Sequence, residues 1–246
     1  MSSSAVSPLP NRRIKAEILI VLAITFGMSG LRSILRLIDD LLAPLALNEQ
    51  QVALNASMAN SVWLDLALQL CSAGVLFSWG ALAIYLLGER FQWIKPKDWA
   101  WGAGLAALIG IPGLIFYASA VHLGLSKQVV PTTLETWWEI PVLLIWSAAN
   151  AFGEEIVVVM WFFTRLRQLK WSVPAVIVTS SVLRGSYHLY QGISAGLGNI
   201  IMGVVFAYFF HRTGKIWPLV IAHFLIDAVA FVGYSAIGGN LSWLGL

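Results

Sequence analysis

Residues 62–88 read VWLDLALQLCSAGVLFSWGALAIYLLG and carry one charge, Asp65. A helix needs about 20 mainly apolar residues to cross the hydrocarbon core of a bilayer, and this run exceeds that. The same pattern recurs along the chain. Candidate spans cover 17–42, 62–88, 100–121, 139–163, 173–190, 196–211 and 216–237. The expected fold is all-α: a polytopic transmembrane helix bundle of about seven spans, with an eighth needed only if the C-terminus lies inside. Residues 1–246 form a single membrane domain, without internal repeat or low-complexity tract.

Composition supports this. Apolar residues make up 59% and charged residues 11%, where a soluble domain carries roughly 25% charged. The mean hydropathy is +0.79. A soluble globule could not hide that much apolar surface, so soluble, disordered, collagenous and disulfide-scaffold classes are excluded. The lone Cys71 can form neither an internal disulfide nor a thiolate metal site. The net charge of +3 does not point to nucleic acid, because most charges sit in short clusters between apolar segments. The lipid bilayer is the expected partner.

The basic residues set the orientation. Arg12, Arg13 and Lys15 precede the first span, and Arg90, Lys95 and Lys97 follow the second. Arg165, Arg167 and Lys170 follow the fourth; Arg212 and Lys215 follow the sixth. The opposite side has Lys127 with Asp39, Asp40, Glu49, Glu135 and Glu139. The positive-inside rule places the N-terminus in the cytoplasm and, with seven spans, the C-terminus outside. A plasma (inner) membrane location is expected. The first apolar run has no small-residue cleavage site after it and reads as a retained anchor behind the polar tail MSSSAVSPLP. Trp93, Trp99, Trp101, Trp137, Trp138 and Trp217 lie near span ends, as interfacial anchors do.

Charges inside spans cost about 2.5–3.5 kcal/mol each at the bilayer centre, so they pair or line a wet cavity. The candidates are Arg32, Arg36, Asp65, Glu154, Glu155, Arg184, His188, His223 and Asp227, and most fall late in the chain. Asn150-Ala-Phe-Gly-Glu-Glu155 places two acids about 100° apart on the fourth span. One can face a reacting centre while the other faces a support. Arg184-Gly-Ser-Tyr-His188 sets arginine and histidine at i, i+4. His223-Phe-Leu-Ile-Asp227 stacks imidazole and carboxylate one turn apart. An isolated acid pair or histidine is as readily structural; the three elements together point to chemistry.

In that order and spacing these residues resemble the CPBP intramembrane proteases, which include type II CAAX prenyl endopeptidases and Abi-type bacteriocin-processing proteins. That family carries EExxxR on one span, FxxxH on the next, and HxxxN or HxxxD two spans later. The resemblance covers about 140–235, the expected catalytic half, and implies an endopeptidase acting on a membrane-associated peptide or protein substrate. It implies that Glu154 and His188 activate water. By the same resemblance, His223 and Asp227 bind metal or polarise the scissile carbonyl, and Glu155 and Arg184 support them. It further implies zinc on His188, His223, Glu154 and Asp227, although a metal-free glutamate mechanism uses the same groups.

Two positions depart from the pattern: the motif arginine falls at Val159 and the motif phenylalanine at Arg184. Either the site has decayed, or Arg184 supplies the missing charge to Glu155 from the neighbouring helix. Depth sets a further condition. His188 lies roughly 24 Å along the fifth span, whereas Glu154 and His223 lie nearer the cytoplasmic ends of theirs. The three meet only if that span starts outside the hydrocarbon or the glycine-rich hairpin 185–198 turns inside the membrane.

Other readings remain open at this point. Gly192-Ile-Ser-Ala-Gly196 matches GxSxG, but that elbow needs a strand before it, and nothing here reads as a strand. Arg32, Arg36 and Asp65 suit either an ion path in a proton-coupled transporter or a structural ion pair. A non-catalytic pseudoprotease or immunity role is the third.

Overall fold

The computed structural model describes residues 9–88, 93–130, 136–233 and 235. Most of the polar tail, Arg90, Glu135 and the end of the seventh expected span lie outside them.

The chain opens with α1 (Asn11–Ile24) and α2 (Phe26–Leu42), which meet at a 48° bend. Thr25 causes it. Its backbone leaves the helical region, at φ −127 and ψ −129, and its hydroxyl donates back to the Val21 carbonyl at 2.6 Å. Such back-bonding offers a helix an alternative to its own ladder. Strand β1 (Gln51–Ala53) follows, then α3 (Val62–Leu87) and α4 (Pro96–His122). Strand β2 (Gln128–Val130) pairs in parallel with β1, Gln51 opposite Gln128. These two short strands correct the expectation that the chain has none. They sit in connecting loops, where backbone groups lack a helix ladder and pair with each other instead.

The fourth span runs from Glu139 to Gln168 as α5 (Glu139–Glu154), a π-helical stretch Glu155–Trp161 and α6 (Phe162–Gln168). Then come α7 (Val173–Ser186), a 3₁₀ turn Leu189–Gln191, α8 (Ile193–Thr213) and α9 (Trp217–Ala228), which ends in a π turn to Gly233. Four helices are long and apolar enough to cross a membrane, or five with the bent α1–α2 pair counted as one span. Helices α7 and α9 are shorter apolar helices. The chain is an all-α integral membrane protein.

The span expected over 173–190 stops at Ser186. Its 14 residues reach about 21 Å, short of the roughly 30 Å hydrocarbon thickness. The turn into α8 follows at once, through Leu189–Gln191. Gly192 makes the turn at φ +120, a backbone conformation that favours glycine. Small residues bring the helices backbone to backbone. A Cβ on Gly203 of α8 would come within 2.8 Å of the Ser181 Cα of α7, and one on Gly153 within 3.0 Å of the Leu76 carbonyl of α3. The fourth span is the centre of the bundle: Ala149, Ala151 and residues 155–159 are all buried around it.

Several charges fall where loops alone would not put them. Arg165 is buried, with Nε on Glu17 of α1 at 2.6 Å and Nη2 on the Leu86 carbonyl at 2.6 Å. It therefore ties three helices together and is not a free headgroup contact. Lys127 pairs with Asp40 at 2.5 Å. Asp65 accepts from the Met58 amide at 2.5 Å and the Ser57 hydroxyl at 3.0 Å. It is a loop anchor, which removes it from the ion pair considered with Arg32 and Arg36, both exposed on α2.

Candidate active site

The π stretch begins at Glu155, immediately after Glu154. Such insertions shift the helical register and recur at functional sites. Ser180 of α7 donates its hydroxyl to the Val158 carbonyl at 2.9 Å, satisfying one acceptor in the widened turn. The acid pair thus sits at mid-span against α7, with Glu155 fully buried and Glu154 6% exposed.

Arg184 reaches Glu155 from α7. Its Nη2 bonds Glu155 Oε1, its Nη1 stands 4.0 Å from Glu154 Oε2, and its guanidinium lies 5.5 Å from the Phe206 ring centroid. At the motif-arginine position, Val159 is fully buried in the apolar core. The positive charge is present, delivered from the neighbouring helix.

Glu155 Oε1 also faces His223 Nδ1 at 2.8 Å. A carboxylate can only accept, so Nδ1 carries the proton there. His223 Nε2 looks toward Asp227 Oδ1 at 3.6 Å, and Asp227 Oδ2 accepts from the Asn150 amide at 3.2 Å. On the other side, Glu154 Oε2 accepts from the Tyr187 hydroxyl at 2.7 Å, while His188 Nε2 stands 3.6 Å away. One connected chain of groups therefore runs His188–Glu154–Arg184–Glu155–His223–Asp227. All six expected site residues belong to it. The outer residues, His188 and Asp227, keep partial side-chain exposure, 17% and 16%.

Residues 136–229 match the family model of the type II CAAX prenyl endopeptidases, Rce1-like. The match spans every residue of that chain of contacts and nearly coincides with the expected 140–235. No curated protein and no solved structure matches the chain.

Two contacts were not assigned a role from sequence. Tyr187 stood inside the quoted arginine–histidine motif, and Asn150 stood one turn before Glu154, so both were visible but only as neighbours. Ser194 of the GxSxG match lies on the first turn of α8, where its amide donates to the Leu125 carbonyl at 3.1 Å. It follows a 3₁₀ turn, not a strand, so the elbow is absent.

The resemblance implies zinc on His188, His223, Glu154 and Asp227. Among the described residues no three His, Cys, Asp or Glu side chains are placed to hold one ion. Arg184 supplies a cation beside both carboxylates of the acid pair.

Proposed function

We propose that this protein is an intramembrane endopeptidase in which Glu154 and His188 activate water against a peptide bond. The carrying observation is the pair itself. Glu154 Oε2 and His188 Nε2 are 3.6 Å apart, inside the matched segment. That separation is too wide for a direct hydrogen bond and lets both groups face one water from the same side. Glu155 Oε2, Arg184 Nε and Nη1 and His188 Nε2 are buried without a protein hydrogen bond. Buried polar atoms find partners, and a bound peptide with its water would supply them.

The reaction then balances on this chain's own groups. Glu154 takes a proton from water as the water oxygen attacks the carbonyl carbon. His223, protonated on both nitrogens and oriented by Glu155 and Asp227, donates Nε2–H to the carbonyl oxygen as it becomes an oxyanion. Collapse breaks the C–N bond, and the proton on Glu154 passes to the leaving amine. Arg184 pairs with Glu155 and holds it in place.

The proposal extends to topology: seven crossings, α7 and α9 included, with a cytoplasmic N-terminus and an outside C-terminus in the plasma membrane. The substrate is a membrane-associated peptide or protein. The match to the CAAX prenyl endopeptidases makes a prenylated cysteine peptide the first probe.

Comparative proteomics of membranes from wild type and Glu154→Ala tests this reading. A substrate terminus present in wild type and missing in the variant supports it. Identical termini, together with no cleavage of a farnesylated fluorogenic peptide by the purified protein, overturn it and favour the non-catalytic or transport readings.

A further inference from the structure

Glu154 has a partner that no motif supplies. The Tyr187 hydroxyl donates to Oε2 at 2.7 Å, and His188, at 3.6 Å, does not hold that oxygen directly. The Tyr187 ring is buried and is held from the far side by α2, where Phe26 packs on it at 4.8 Å between centroids. Phe26 is itself braced edge-on by Trp79 of α3 at 5.3 Å. The same face of α2 grips the turn on both sides of His188. Gly30 lies so close that an added Cβ would stand 2.3 Å from the Ser186 hydroxyl, and the Ser33 hydroxyl accepts from the Tyr190 amide at 2.6 Å. The N-terminal helices, which carry no motif, therefore hold the segment that carries one.

We infer that Tyr187 is a positioning residue for Glu154, fixed in place by Phe26 of α2. This rests on the reading of Glu154 as the base. A carboxylate on a flexible stem presents two equivalent oxygens, and a general base must present one of them to water. A hydrogen bond on Oε2 fixes the carboxylate plane and turns that oxygen's second lone pair toward the water shared with His188. The phenol does this as a neutral donor, without a second cation beside Arg184. A buried tyrosine hydroxyl needs a partner in any case, so the contact alone does not separate positioning from packing.

The test uses the full-length protein in detergent, with four proteins compared: wild type, Tyr187→Phe, Glu154→Ala and the double variant. Tyr187→Phe should lower Tm by roughly 3–6 °C in the wild-type background and by nothing measurable beside Glu154→Ala. An equal shift in both backgrounds overturns the contact. On the farnesylated fluorogenic peptide, Tyr187→Phe should lower kcat about 10- to 100-fold with KM unchanged. Wild-type kcat in that variant overturns the positioning role, because a packing role moves only Tm. Phe26→Ala should lower kcat when Tyr187 is present and add nothing to Tyr187→Phe; an added loss of the same size overturns the assignment to α2. Failure of the proteolysis reading shows separately, as identical substrate termini in wild type and Glu154→Ala, and leaves the Tm comparison standing.

Discussion

Arg184 on α7 pairs through its guanidinium with the carboxylate of Glu155, 29 residues earlier on the fourth span, and both are fully buried. An acid pair at mid-membrane would otherwise carry two uncompensated charges in a medium that solvates neither. In the matched family's pattern the cation comes from the same helix, one turn on. Here that position is Val159, and the cation arrives across a helix interface. The pairing is geometrically the same, but it depends on α7 staying docked.

Arg184→Leu should therefore destabilise the protein by about 3–5 kcal/mol, because it strands a buried carboxylate. Cleavage should be lost with it. Val159→Arg added to Arg184→Leu should restore part of both. Thermal unfolding in detergent and the fluorogenic peptide assay measure the two effects; full activity in Arg184→Leu would show that Glu155 needs no cation.

Asp227 accepts from the Asn150 amide and faces His223 Nε2. An asparagine at 227 keeps an acceptor oxygen for Asn150, while alanine keeps none. Asp227→Asn should retain at least ten times the activity of Asp227→Ala, about the 1.4 kcal/mol of one hydrogen bond. Equal activities in the two variants would remove Asp227 from the orienting chain.

The α7–α8 hairpin depends on a close approach at Gly203, where an added Cβ would meet the Ser181 backbone. Gly203→Ala should cost about 1–3 kcal/mol through overpacking and should lower activity by shifting the arm that carries Arg184. Gly104→Ala on α4, where nothing lies within 4 Å, is the matched control and should leave Tm and activity unchanged. If both glycines tolerate alanine equally, the tight approach is not what seats the hairpin.

Metal removal discriminates between the two ways of activating water. Extensive dialysis against EDTA should leave peptide cleavage intact, since Glu154 and His188 act without an ion in the proposed reaction. Loss of activity that zinc alone restores would show that the side chains rearrange around a metal.

Topology is tested at the far end of the chain. A C-terminal alkaline phosphatase fusion, active only outside the cytoplasm, should report activity, following the Lys/Arg asymmetry across the loops. Strong fluorescence from a cytoplasm-only reporter at that end would require an even number of crossings.

The membrane class, the all-α architecture and the proximity of the late polar side chains were legible in the sequence. They rest on local quantities: the length of apolar runs, the i, i+4 spacing of His223 and Asp227, and the rarity of charge in such runs. The relay of the missing arginine was legible for a related reason, since Val159 removes the local cation and Arg184 has few other acids to meet. Tertiary structure decided the rest. It ended α7 at Ser186, opened the helix into a π turn at Glu155, and pressed Phe26 and Ser33 of α2 onto the turn around His188. It also gave Glu154 a tyrosine hydroxyl as its direct partner and brought Arg184 to both carboxylates from the neighbouring helix. Apolar periodicity reports only that a helix faces lipid or protein. Which helices touch, and which oxygen receives a proton donor, depends on close packing between segments more than a hundred residues apart, and no local pattern records that.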